Sequence, residues 1–304
     1  MDGAALPSQG SVAIMPSDRL QRALRWTGST LSIIGVVFVA IRLYEYEGQI
    51  DFSRLTSGKL QVLFGLTVIY TAANFLLALA WKALLQHFEI AVGFIWVIKT
   101  YGVSQLAKYV PGNIFHLAGR QAIGQAAKLP IWPLAKSAVW ELGLISVTGA
   151  MFGILVLPYF VLWVSNFMAI IAFACVLITV VMGLRKFVGP QTARAVGWYA
   201  IFLTVSGFVF VGLLALVKED SAITPLQVLP FCGAFVAAWL VGLVTPGAPA
   251  GIGVRELVLM VLLNGFISEA DLMLAVVLGR LVTVGGDFGF FAVASLMREK
   301  RITS

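Results

Sequence analysis

Arginine stands nine residues after proline in both Pro-Gly pairs of this chain: Arg120 follows Pro111-Gly112, and Arg255 follows Pro246-Gly247. Proline removes a backbone donor and clashes with the preceding turn, while glycine accepts backbone angles that other residues resist, so each pair stops a helix. A break of this kind inside hydrocarbon must line a cavity or be buried in protein, because lipid cannot satisfy the freed amides and carbonyls. A helix restarting after Gly251 or Gly253 would turn unpaired amides and a partial positive charge toward whatever fills that cavity. With a guanidinium trailing each break, the chemistry to expect is recognition of an anion. No catalytic residue, metal or cofactor is expected. The sequence contains no GxxxxGK[ST], HExxH, GxSxG or DxD, and Cys175, Cys232, His87 and His116 lack metal-ligand spacing. Both cysteines read as small packing residues.

Six charged residues lie within or beside apolar runs: Arg120, Glu141, Arg255, Glu256, Arg280 and Asp287. An arginine at mid-bilayer costs on the order of 2.5–3.5 kcal/mol on insertion scales. Three unpaired ones would cost roughly 8–10 kcal/mol, comparable with the stability of a whole domain. These groups must therefore be paired, interfacial or in a wet cavity. Neighbours in sequence do not face each other on a helix, so Glu256 is expected to meet Arg120 or Arg280 rather than Arg255. Glu141 with Arg280 is a further expected pair. The candidate binding set is Arg120, Arg255, Arg280, Glu141 and Glu256, with Pro111, Gly112, Pro246, Gly247 and Lys108, which lies three residues before Pro111. Lys82, Lys99, Arg42 and Arg54 are expected to snorkel at helix ends. Trp81, Trp96, Trp132, Trp140 and Trp198 are expected to form an interfacial belt.

The elements that must hold these residues follow from composition. Of 304 residues, 60% are hydrophobic and only 12% charged, with a mean hydropathy of +0.96. A soluble domain carries about 25% charge. Soluble enzymes, nucleic-acid-binding domains, disordered chains and disulfide scaffolds are thereby excluded. An all-α polytopic membrane protein is expected. The net charge of +7 reflects Lys and Arg on cytoplasmic loops, so nucleic acid is not an expected partner.

Residues 1–18 read as a disordered tail and 19–304 as one transmembrane domain, opening on a retained helix at Trp26–Leu43. Further helix-length runs cover 60–81, 138–157, 161–183, 197–217, 228–244 and 272–297. Segments 93–127 and 245–267 are interrupted by proline, glycine and arginine, and read as spans, re-entrant hairpins or interfacial helices. The expected count is six to eight spans. The basic clusters place both termini in the cytoplasm at eight, provided 252–267 crosses and 93–127 does not. The two Pro-Gly segments mark repeat halves at about 60–160 and 197–297. The first is followed by a basic loop and the second by an acidic one, which points to inverted halves. Gly35, Gly65, Gly143 and Gly149 read as helix-packing positions.

Lys108-Tyr-Val-Pro-Gly with Gly119-Arg120, and Pro246-Gly247 with Gly251-Ile-Gly253-Val-Arg255-Glu256, resemble the signature of the lysylphosphatidylglycerol synthase transmembrane-region family. The likeness runs from about residue 25 to 297. In its best-known members the membrane region is a lipid flippase joined to a cytosolic aminoacyl transferase. Others are stand-alone proteins associated with glycosyltransferases or lipid-linked sugars. The sequence runs only seven residues past Met297, so a stand-alone member without the transferase is expected. Where the family carries Pro-Gly-Gly, this chain has Pro246-Gly247-Ala248-Pro249. The resemblance implies a translocase in the plasma (inner) membrane, rather than an enzyme, moving an anionic phospholipid or lipid-linked headgroup between leaflets. A glycosyltransferase or lipid-modifying enzyme is the implied protein partner. The rival readings are a membrane enzyme or enzyme subunit acting on polyprenyl-linked sugars, and a structural partner of a glycosyltransferase.

Overall fold

The computed structural model describes residues 56–109, 115–218, 223–245 and 254–297. The tail, the Trp26–Leu43 run, Pro111, Gly112, Pro246 and Gly247 lie outside these residues. Nine α-helices occur among the described residues, with no strand: α1 Ser57–His87, α2 Phe94–Gln105, α3 Phe115–Ala126, α4 Ile131–Met151, α5 Asn166–Phe187, α6 Pro190–Val217, α7 Pro225–Val244, α8 Val254–Leu262 and α9 Glu269–Leu296. A 3-10 segment, Leu106–Tyr109, extends α2, and a second, Phe152–Tyr159, extends α4. Six helical stretches are long and apolar enough to cross a membrane: α1, α4 with its extension (Ile131–Tyr159), α5, α6, α7 and α9. Each overlaps one of the six apolar runs predicted from sequence. The protein is an all-α polytopic membrane protein.

Local chemistry sets the helix starts. Ser165 accepts a hydrogen bond from the Met168 amide at 3.2 Å, and Ser268 accepts one from the Asp271 amide at 3.1 Å. Each hydroxyl thus satisfies an amide that the first helical turn would leave unpaired. Between α5 and α6 the chain reverses through Gly189, whose φ of 142° lies in the region a side chain resists, and Pro190 opens the next helix.

At the centre α6 lies along α1, and α9 packs against both. Trp81, Leu84 and Leu85 of α1, Tyr199, Leu203 and Phe210 of α6, and Phe290 of α9 are wholly buried there. The outer surface is oily, with Phe64, Phe167, Phe187 and Leu296 exposed. Lipid suits such a surface. Most peripheral is α5, where 6% of the apolar window is buried, against 61% for α6.

The interrupted segments are short helices. At 1.5 Å per residue, α2 and α3 are each about 18 Å long and α8 about 14 Å, so none alone crosses a hydrocarbon core of about 30 Å. The crossing of 252–267 that the eight-span count requires is not supplied by α8 by itself. Instead α3 lies back against α2, where Gly119 is close enough that a Cβ would sit 3.5 Å from Ser104. In the same way α8 lies back against α7. Each half therefore presents a hairpin on either side of its Pro-Gly residues, followed by a long helix, α4 in one and α9 in the other.

Glycine permits closest approach where α9 crosses α1. A Cβ on Gly286 would lie 2.6 Å from the Tyr70 ring and 3.2 Å from the Thr71 amide nitrogen, and one on Gly289 would meet the Thr71 hydroxyl at 2.7 Å. Of the glycines expected to pack helices, Gly35 lies outside the described residues; a Cβ on Gly149 would meet Leu240 and Leu203 at 3.7–3.8 Å, whereas Gly65 and Gly143 face open space. At both, no neighbouring helix comes within 4 Å of where a Cβ would stand. Gly286→Ala is expected to destabilise the protein by about 1–3 kcal/mol through overpacking. Gly65→Ala is expected to stabilise it by up to about 1 kcal/mol through helix propensity. Unfolding transitions in detergent measure both.

Candidate functional site

Two of the three ion pairs among these residues form within a half. On α3, the Arg120 Nη1 donates to Glu141 Oε2 of α4 at 2.6 Å, with both side chains buried. Tyr101 of α2 donates its hydroxyl to the other carboxylate oxygen at 2.9 Å. In the second half the partners are exchanged. The acid, Glu256, stands on the short helix α8, and the cation, Arg280, on the long helix α9, at 2.7 Å. Of the two partners predicted for Glu256, Arg280 is the one found. The predicted Glu141–Arg280 pair does not form, because the four-residue connection from α3 to α4 brings Arg120 to Glu141 first.

A third pair joins the 3-10 segment to α9: Lys108 Nζ lies 2.6 Å from Asp287 Oδ2, and Asp287 is wholly buried. The same oxygen accepts the Tyr109 hydroxyl, and Oδ1 accepts from Asn74 Nδ2 of α1 at 3.1 Å. Asp287 thus holds three elements together.

Each trailing arginine also stacks on an aromatic ring of the helix preceding its break. The Arg120 guanidinium sits 4.3 Å from the Tyr101 ring centroid, and that of Arg255 sits 4.1 Å from Phe235 of α7. The sequence separations, 19 and 20 residues, are nearly the same. Cation–π contact strengthens when the cation is desolvated, as both are here. Trp81, expected in an interfacial belt, is 1% exposed instead. Its ring lies 5.2 Å from Arg120, and its N–H donates to Ser137 at 3.2 Å. The indole covers the guanidinium and loses nothing by leaving the interface, since its one donor is satisfied. Cys175 is exposed on α5 rather than packed, and Cys232 is buried.

Arg255 differs from the other cations. It is 9% exposed, its Nε has no hydrogen-bond partner, and no carboxylate of the described residues forms an ion pair with it. Arg280 is near enough to repel it. Its side chain lines a cavity of about 140 Å³ between the two halves, whose wall also includes Lys108, Glu141, Arg280, Tyr101 and Tyr109. Four of the predicted binding residues, Lys108, Glu141, Arg255 and Arg280, therefore come together on one cavity. Arg120 and Glu256 stand behind that wall as partners of Glu141 and Arg280. The other four, Pro111, Gly112, Pro246 and Gly247, lie outside the described residues.

Sequence reasoning did not place Asp287, Tyr101, His116 or Ser206 in this site. Asp287 could have been found, because it follows Arg280 by seven residues and so shares its face of α9. His116 lines the cavity with a buried Nδ1 that has no partner. It lies on α3, outside the six spans, and burial beside Arg120 and Lys108 pushes its imidazole well below the usual range, so it is neutral. Ser206 of α6 also lines the cavity, with a buried hydroxyl lacking a partner. No family model matches the chain, and no curated protein matches it.

In chemical terms the site is a desolvated guanidinium facing a cavity rimmed by neutralised cations and hydroxyls. It can bind and orient an anion. The neighbouring pair is a structural prerequisite, which can be measured. Arg120→Ala leaves the Glu141 carboxylate buried without its cation and is expected to cost about 3–5 kcal/mol. The double variant Arg120→Met with Glu141→Leu is expected to recover at least half of that loss, as read from detergent-solubilised unfolding.

Proposed function

We propose that the protein is a lipid translocase that carries an anionic phospholipid or lipid-linked headgroup between leaflets. The observation that supports this reading is Arg255: buried, unpaired by any described carboxylate, and directed into the cavity between the halves. A bare buried cation is costly, and an anionic guest that supplies charge-assisted hydrogen bonds removes that cost. A phosphate is such a guest. Lys108 and Arg280 flank the same space and would draw the headgroup in, while the acyl chains stay in surrounding lipid. Unassisted flipping is slow because a charged headgroup must shed its water in hydrocarbon. A cavity with a preformed counter-charge lowers that barrier.

The resemblance of the two Pro-Gly-Arg segments to flippase-like membrane regions supports the same reading. The matched architecture of the halves, each a hairpin, a stacked arginine and a long charged helix, fits an inverted repeat that alternates access. In this reading the chain resides in the plasma (inner) membrane with both termini on the cytoplasmic side. A lipid-modifying enzyme or glycosyltransferase would be the protein that supplies or uses the lipid.

Leaflet exchange in vesicles containing phosphatidylglycerol tests the proposal. Wild-type protein is expected to exchange a reporter lipid. Arg255→Ala is expected to slow exchange at least about tenfold, the equivalent of about 1.4 kcal/mol, and Arg255→Lys to fall between the two. Equal exchange by wild type and Arg255→Ala would overturn the mechanism. Turnover of a lipid-sugar donor by the purified protein would favour an enzyme instead.

A further inference from the structure

Among the described residues of the cavity wall, His116 is the only side chain whose ordinary pKa falls between about 5 and 8. It stands one turn before Arg120 on α3, and so on the same face of that helix. Its Nδ1 is enclosed in the protein and has no hydrogen-bond partner. The exchange mechanism described above makes no use of it. An enclosed polar atom without a partner is costly, and a guest in the cavity is what can satisfy it.

Three elements pack on α3: α2, the 3-10 segment that extends it, and α4. From them Tyr101, then Lys108 and Tyr109, then Glu141 reach the same wall as His116. Tyr70, Arg255 and Arg280 complete the titratable side chains of that wall. The one carboxylate among them, Glu141, is already engaged by Arg120 and Tyr101. Burial first, and then the charges of Arg120 and Lys108, hold the imidazole well below its usual range. By itself it is neutral.

An anion in the cavity reverses that balance. Its charge offsets those of Lys108 and Arg120. Its oxygens accept charge-assisted hydrogen bonds, which replace part of the hydration lost on burial. A protonated imidazole donates from both nitrogens, whichever one carries the proton in the neutral ring. Resting on the translocase reading, we propose that His116 takes up one proton as an anionic headgroup enters the cavity, and that headgroup and proton cross together. The proton comes from water on the loading side, resides on an imidazole nitrogen, and returns to water on the other side as the headgroup leaves. A singly charged headgroup with one proton is an electroneutral cargo, so its passage does no work against the transmembrane potential. A pH gradient then drives net movement of lipid toward the alkaline leaflet.

Dioctanoyl phosphatidylglycerol is the probe, because its phosphodiester has one strongly acidic proton and takes up none itself near neutral pH. Calorimetric titration of the purified full-length protein in neutral detergent, repeated in two non-phosphate buffers of different ionisation enthalpy, counts the protons. At pH 6.0 the wild type is expected to take up at least about half a proton per lipid, and to bind at least about threefold more tightly than at pH 7.5. His116→Gln, which stays neutral at every pH, is expected to take up less than about a tenth of a proton. In phosphatidylglycerol vesicles with the potential held at zero, a one-unit pH gradient sets a limit of about tenfold in leaflet ratio for one proton per lipid. Wild type is expected to reach at least about threefold above protein-free vesicles. His116→Gln is expected to build no such excess.

Binding without proton uptake by wild type, or exchange that ignores the gradient, would overturn the coupling and leave the translocase reading intact. These wild-type measurements decide the coupling even where His116→Gln fails to fold. Uptake that persists in a folded His116→Gln protein would sink the assignment to His116. Neither binding nor exchange of phosphatidylglycerol by wild type would remove both readings.

Discussion

A charge in hydrocarbon needs a counter-charge, and the interior of this protein is arranged around that requirement. The chain sets Arg120, Arg280 and Lys108 each against a carboxylate from a different element: Glu141 on α4, Glu256 on α8 and Asp287 on α9. Those pairs do not make the fold stable in themselves, because desolvation offsets much of their attraction. Their effect is positional. Arg120–Glu141 and Glu256–Arg280 can form only if the short helices α3 and α8 lie against the long helices that follow them, so these two pairs dictate where the two hairpins sit.

The two halves meet this requirement with opposite polarity. The short helix supplies the cation in the first half and the acid in the second. The stacked arginine is common to both, over Tyr101 in one and Phe235 in the other. Tyrosine at the first position brings a hydroxyl that completes the Glu141 carboxylate, while phenylalanine at the second brings none. One half is thus closed electrostatically and the other is left with a guanidinium facing the cavity. Two similar helix arrangements are thus put to unequal use.

Much of the framework is legible in the sequence, because hydrophobic runs of helix length have few alternatives in a membrane. Boundaries were less so. The run predicted from 138 starts in fact at Ile131, since Lys136 and Pro133 interrupt the apolar pattern without interrupting the helix, proline being tolerated in a first turn. The run predicted from 161 starts at Asn166, after Ser165 caps it. Within the site, matched spacing identified Arg120 and Arg255, and the cost of bare charge identified Glu141, Glu256 and Arg280. Spacing along one dimension does not encode which helix lies beside which. The Glu141 partner and the burial of Trp81 therefore became visible only with the packing of α2, α3 and α4 against one another.

The glycine crossing between α1 and α9 has a mechanical implication. Backbone meets side chain there with no slack, and immediately beside it Asp287 is tied to Asn74, Lys108 and Tyr109. Sliding or tilting either helix against the other would have to unlock a steric fit and a bonded carboxylate together. These two long rods therefore behave as a chassis. Any rearrangement that opens the central space toward one side has to hinge on the lighter parts bolted to it, the nine-residue α8 and the twelve-residue α3.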